Sequence, residues 1–222
     1  MSDKIRVLAW SEVTEPKYAY PNGIHGALAE YLNVCEGITA KTASINGPDQ
    51  GVSEDALNET DVLIWFGHVR HGNITDETVN RIVRHVKERG MGFLALHSSH
   101  FARPYKALMG TNCGWRAYVE DGKSGHIKVV KKDHPIAKGV SDFTIPREEW
   151  YGEPFEVPEP EAVIIKGTYK DGEEVARDLL VWTVGKGRVA YFRPGHETFP
   201  IYYMAEVRKL IENSVRWLAK KV

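Results

Sequence analysis

Cysteine is scarce in this sequence. Cys35 and Cys113 stand far apart, and neither belongs to a CxxC pair. A disulfide framework and a thiolate zinc site are therefore both disfavoured, and the two thiols are expected to be free. Net charge is also nearly absent, at -1 from 29 Lys and Arg against 30 Asp and Glu. That balance gives no electrostatic footprint for nucleic acid or for a membrane surface. No apolar run reaches the 18 residues of a membrane span, and the start MSDKIRVLAW passes into a short strand without the apolar core of a signal peptide. A cytoplasmic protein is expected. Internal repeats and low-complexity tracts are missing too.

What is present is enough apolar material for a substantial core. Hydrophobic residues make up 42% of the 222 positions and charged residues 27%, which suits one large domain over residues 1–222. The first half alternates strand and helix signals. Strands are expected at Lys4–Trp10, Ile38–Ile45, Asp61–Gly67 and Met91–His97, with helices over Gly23–Asn33 and Thr75–Arg89. Thr75 followed by Asp76 and Glu77 suits a helix start, and Gly90 a helix end. That alternation predicts βαβ units and a parallel α/β sheet with helices on both faces. The second half is richer in strands, at His126–Lys132, Ala162–Gly167, Asp178–Gly185 and Gly187–Gly195, with a hairpin turning at Gly185-Lys186-Gly187. The Pro-rich EPFEVPEPEA is read as a loop or edge, and the stretch from Met204 to Val222 as a closing amphipathic helix.

In open α/β sheets, ligands bind at the carboxyl ends of the strands. The loops after Trp10, Gly67, Leu96 and Arg193 should therefore share one rim, and they carry SEVTEPKYAYPNGIH, HVRHG, HSSH and PGHETF. Six histidines fall in them: His25, His68, His71, His97, His100 and His196. Neutral imidazole is both a good ligand for zinc-like ions and the default acid or base near neutral pH. His97 and His196 are favoured because each ends a strand. His85, inside an amphipathic helix, is expected at the surface, and His134, before Pro135, in a turn. No HExxH or comparable cluster specifies a metal from sequence alone. REEWYGEPF adds Glu148, Glu149 and Glu153 beside Trp150 and Tyr151. A carboxylate there could complete a metal site or bind sugar hydroxyls while the rings stack on a sugar face; the plainer alternative is a solvated acidic loop. Glu12 and Tyr18 are further candidates.

ERGMGFLALHSSH, DHPIAKGV, EEWYGEPF and GKGRVAYFRPGHE together resemble the trehalose-utilisation (ThuA-like) family across most of the chain. The resemblance implies a flavodoxin-like fold similar to class I glutamine amidotransferases. In those enzymes a cysteine occupies the sharp turn after the strand corresponding to GFLAL, and a later His and Glu complete a triad. Here His97 stands at that elbow, while His196 and Glu197 are kept. A Cys-His-Glu mechanism is therefore not expected. Ser98 is no better a nucleophile, since LHSSH lacks the glycines of G-x-S-x-G.

Two functions follow. The preferred one is a metal-dependent enzyme acting on a disaccharide or an oxidised sugar derivative. Its catalytic set would be His97, His196 and Glu197. Glu149, Trp150 and Tyr151 would meet the sugar. A divalent metal, zinc by ligand type, would be held from among His97, His196, His68, Glu149 and His25. The alternative is a non-catalytic sugar-binding or regulatory domain. The expected partner is a small-molecule sugar, and a homo-oligomer is compatible with the sequence.

Overall fold

The computed structural model describes residues 4–221, so Val222 of the expected closing helix lies outside the described residues. Along the chain come β1 (Ile5–Ser11), α1 (Gly23–Val34), β2 (Ile38–Ser44), α2 (Glu54–Asn58), β3 (Val62–Phe66), α3 (Asp76–Arg84), β4 (Gly92–Leu96), α4 (Arg103–Met109), β5 (Trp115–Val119) and β6 (Gly125–Val129). Then follow β7 (Phe143–Ile145), β8 (Trp150–Phe155), β9 (Ala162–Tyr169), β10 (Glu174–Val184), β11 (Gly187–Phe192) and α5 (Ala205–Leu218). Nine strands form one sheet in the order β2-β1-β3-β4-β11-β10-β9-β6-β7, and β5 pairs with β8 in a separate two-stranded sheet.

The four strands expected in the first half are neighbours, and every pairing among them is parallel. β3 (VLIWF) and β4 (GFLAL) are buried at every position, which explains why both read as unbroken apolar runs. From β1 the chain crosses through α1 to β2 on one side, and from β3 through α3 to β4 on the other. Right-handed crossovers in opposite directions place those helices on opposite faces.

The last parallel strand comes from the far end of the chain. β11 lies beside β4 in parallel, with Phe192 level with Leu96. It is reached by the expected hairpin from β10, whose Val184 pairs with Gly187 across a Gly185-Lys186 turn. Gly185 has φ +62°, and a Cβ there would lie 2.6 Å from the Lys87 carbonyl oxygen, so the close approach of the hairpin to the end of the α3 segment requires glycine. The carboxyl ends of β1, β3, β4 and β11 therefore share one edge.

Several expectations need correction. The helix expected over Thr75–Arg89 is α-helical only to Arg84 and continues as a π-helical turn over His85–Arg89. The wider turn breaks the 3.6-residue phase on which the surface assignment of His85 rested. His85 is only 2% exposed. Its Nε2 meets Glu54 Oε1 at 2.9 Å, and its Nδ1 accepts from Arg89 Nε at 3.0 Å. REEWYGEPF is not a solvated loop: Trp150–Phe155 is strand β8, and Glu148 is buried. Cys35 and Cys113 are free, as expected. Among the described residues, no helix is long and apolar enough to cross a membrane.

Candidate active site at the carboxyl edge of the sheet

His97 follows β4 with φ +48°, a left-handed conformation unusual for a residue with a side chain, and it is wholly buried. The chain thus makes a sharp elbow that turns the imidazole along the sheet edge. Three contacts fix the residue. Nδ1 lies 2.8 Å from the Arg193 carbonyl oxygen, so it carries a hydrogen and donates it. Nε2 lies 2.9 Å from Glu149 Oε2 and 2.8 Å from the Tyr151 hydroxyl. The His97 carbonyl accepts from the Tyr191 hydroxyl at 2.8 Å.

This geometry can hold a proton in two ways. With the ring cationic, Nε2 donates to Glu149, and Tyr151 donates its hydroxyl to the same carboxylate oxygen, 3.1 Å away. With the ring neutral, Tyr151 donates to Nε2 instead. The phenol can therefore serve either state. Burial works against the charged form of Glu149, but the hydrogen bond and charge of His97 outweigh it and bring the carboxyl down to about 2.

The two serines that follow are structural. Ser98 Oγ donates to the Gly67 carbonyl at 2.8 Å, and Ser99 Oγ donates to that of Trp65 at 3.0 Å. They stitch the tip of β4 to the tip of β3, and Ser98 Oγ, whose hydrogen goes to the Gly67 carbonyl, also lies 3.0 Å from His68 Nδ1. His100 is buried as well. Its Nδ1 donates to the Cys113 carbonyl at 2.7 Å, and burial pushes the imidazole down to about 3.

Beside the His97 pair, His68 from the loop after β3 converges with His196 and Glu197 from the loop after β11. One potential ligand atom from each lies within 4.8 Å of the other two, and this is the sole such trio among the described residues. His68 stacks over His97 at 6.4 Å between ring centroids, and His196 meets both rings edge-on at 5.2 and 5.7 Å. Burial, reinforced by the charge of His97, lowers both imidazoles, His196 to about 4. Each is then neutral at pH 7, the form that ligates metals. Burial raises the Glu197 carboxyl. His68 Nδ1 approaches Glu197 Oε2 to 3.1 Å, but not in hydrogen-bonding direction, so that buried oxygen has no hydrogen-bond donor. Two neutral imidazoles and an unsatisfied carboxylate fit a divalent ion of the zinc type.

The expected site residues therefore divide. His68, His196 and Glu197 form the trio, while His97 and Glu149 bond each other and Tyr151 joins them. Trp150 does not reach this edge: it is buried and stacks on Tyr169 at 6.0 Å. His25 stands beside Glu15, with 3.6 Å between Nδ1 and Oε1, outside the trio. His71 also stays out of it. Glu12 accepts from the backbone N–H groups of Val69 and Arg70 and so shapes the loop that carries His68. Tyr18 is largely exposed.

Sequence reasoning missed the support behind the pair. Arg193, fully buried, donates to Asp178 through Nε at 2.5 Å and Nη2 at 3.0 Å, and to the Glu149 carbonyl through Nη1 at 3.0 Å. Its own carbonyl holds His97. One residue thus grips both partners. The available signal was Asp178 inside the apolar run of β10, in RDLLVW, and Arg193 directly after that of β11, in AYFRPG.

The profile of the trehalose-utilisation family, ThuA, matches residues 6–218. The chain belongs to the ThuA family. No curated protein matches its sequence significantly. Among solved structures it is similar to a ThuA-like protein of Bacteroides uniformis, with 15% identity, 98% of this chain and 93% of that one covered, and a TM-score of 0.72. It is also similar to a cytoplasmic protein of Salmonella typhimurium, with 16% identity, 96% and 99% covered, and a TM-score of 0.65. A glutamine amidotransferase of Thermotoga maritima shares 11% identity over 97% and 98% of the two chains, with a TM-score of 0.57. The amidotransferase-like fold expected for this ThuA chain is thereby shown.

Proposed function

We propose that this ThuA-family protein is a metal-dependent enzyme of carbohydrate utilisation, acting on a disaccharide or an oxidised sugar derivative. One observation carries the proposal: a ligand trio of His68, His196 and Glu197 adjoins a buried pair, His97 and Glu149, built to hold and release a proton. The trio would hold a divalent ion, zinc by donor type. When bound, such an ion polarises a carbonyl or lowers the pKa of water. His97 and Glu149 would move the proton at the adjoining sugar oxygen, with Tyr151 keeping both protonation states hydrogen-bonded. Cys113 takes no part, because it is buried and burial raises its thiol further.

Elemental analysis of the purified protein tests the proposal, followed by thermal-shift screening of sugars with and without chelator. A stoichiometric transition metal, lost in His68→Ala, together with sugar stabilisation that chelator abolishes, is the expected result. Sugar binding without any metal would instead favour a non-catalytic sugar-binding domain. A cytoplasmic site of action is part of the same proposal and is tested by fractionating cells.

A further inference from the structure

Glu148 is buried, and neither the proton-holding pair nor the ligand trio includes it. It stands between them. Its chain neighbour Glu149 bonds His97, while its own carboxyl reaches the loop after β11. There Oε1 accepts from the Gly195 N–H at 3.3 Å. It also lies 3.7 Å from Arg193 Nη1, which donates to the Glu149 carbonyl at 3.0 Å. Oε2 is buried without a hydrogen-bond partner. Buried polar groups nearly always have partners, so a carboxyl kept here with one oxygen unbonded calls for a use of the other.

That use is at Gly195, the residue before His196 and Glu197. Gly195 has φ +131°, and a Cβ there would lie 2.1 Å from the Tyr202 hydroxyl oxygen, so the backbone passes close against that side chain. The same hydroxyl donates to the Pro194 carbonyl at 3.3 Å. Tyr202 thus holds the turn by its carbonyl and Glu148 holds it by its amide. We propose that Glu148 is a positioning residue: by holding the Gly195 amide it sets where His196 and Glu197 stand beside His97 and Glu149. Two adjacent carboxyls then grip both halves of the site, Glu148 on the loop of the trio and Glu149 on the His97 ring. The trio is shaped for an ion before one arrives, as groups behind metal ligands commonly ensure. This rests on the metal reading above and adds a residue that the reading does not use.

Reach and charge separate this role from a merely structural one. As a counter-charge to Arg193, Glu148 could be shortened but not neutralised; as the holder of Gly195, it could be neutralised but not shortened. Isothermal titration of chelator-stripped protein with zinc reads the difference. Glu148→Gln keeps the acceptor oxygen at the same reach and should retain the zinc affinity of the unaltered protein. Glu148→Asp, one methylene shorter, should bind zinc about tenfold more weakly, the loss expected when a group behind metal ligands is removed. Its Gly195 amide should also exchange faster in the metal-free state. Glu148→Met, which fills a similar volume without an acceptor, should show the same loss and serves if Glu148→Asp does not fold. Unchanged zinc affinity in the Asp and Met variants overturns the positioning role alone. So does a loss in Glu148→Gln that equals or exceeds the loss in Glu148→Asp. No zinc bound by the unaltered protein overturns the proposed function and this inference together.

Discussion

Replacing Asp178 with Asn should be among the most destabilising single changes in the molecule. Asp178 and Arg193 are fully buried, and two hydrogen bonds join them, at 2.5 and 3.0 Å. The Tyr169 hydroxyl donates to the same carboxylate. Asn keeps the shape but removes the charge that compensates the guanidinium, which stays protonated at any working pH. Removing one partner of a buried pair typically costs about 3–5 kcal/mol, out of a total stability of roughly 5–15 kcal/mol. For a chain of this size that corresponds to a fall in melting temperature of roughly 6–20 °C. Urea denaturation of the two proteins at pH 7, followed by circular dichroism, measures it. The effect should also reach the site, because Arg193 holds the Glu149 carbonyl and accepts from His97 Nδ1. The His97 ring resonances should therefore broaden or shift in the variant. A loss below about 1 kcal/mol, the worth of an ordinary hydrogen bond, would refute the reasoning. It would mean that Glu148, whose Oε1 lies 3.7 Å from Arg193 Nη1, takes over as counter-ion.

Three further outcomes are expected. Burial holds the His100 imidazole at about 3, below its ordinary 6.5, so the unfolded chain takes up the proton first. Its contribution is complete above pH 6.5 and is lost as pH falls from there toward 3, about 2 kcal/mol between pH 6.5 and 5. His100→Asn, which keeps a donor for the Cys113 carbonyl, should flatten that slope in urea melts at several pH values. His85→Ala strands Arg89 Nε, whose bond to His85 Nδ1 is 3.0 Å long, and should destabilise the protein by about 1–3 kcal/mol in the same assay. In native protein a thiol reagent should modify Cys35, which is partly exposed, well before the buried Cys113. Equal rates for the two thiols would contradict the packing around Cys113.

The sequence shows most where burial is symmetric. β3 and β4 were legible because helices cover both of their faces, which leaves no polar position to interrupt the run. The β10–β11 hairpin was legible from its turn glycines. β8 was hidden because Pro154 and three glutamates, Glu149, Glu153 and Glu156, sit in or beside it, and because it pairs with β5 away from the main sheet. The histidines that meet, His68, His97 and His196, each follow a parallel strand, and the strand-end rule finds them without any motif. Trp150 was grouped with Tyr151 because they are adjacent, yet neighbours on a strand face opposite sides. Glu149 and Tyr151, two apart, share the side of His97, so Trp150 is turned toward Tyr169. Arg193 and Asp178 lie 15 positions apart, and no local pattern joins them. Only the antiparallel pairing of β10 with β11 makes them one unit.

The place of β11 in the sheet sets when this site can exist. β4 receives one neighbour, β3, from just upstream, and the other from about a hundred residues downstream. His68 and His97 are therefore synthesised long before His196 and Glu197, and the trio closes only when the final strand docks. Such a long-range closure is a slow element of folding. It also makes any bound ion or sugar a clamp across the seam between early and late chain. At a ligand concentration 100 times Kd, that clamp adds about 2.7 kcal/mol to every opening that parts β11 from β4. Fraying of β2 at the far edge would be left untouched. Amide exchange along β4 and β11, compared with β2, would trace that seam directly.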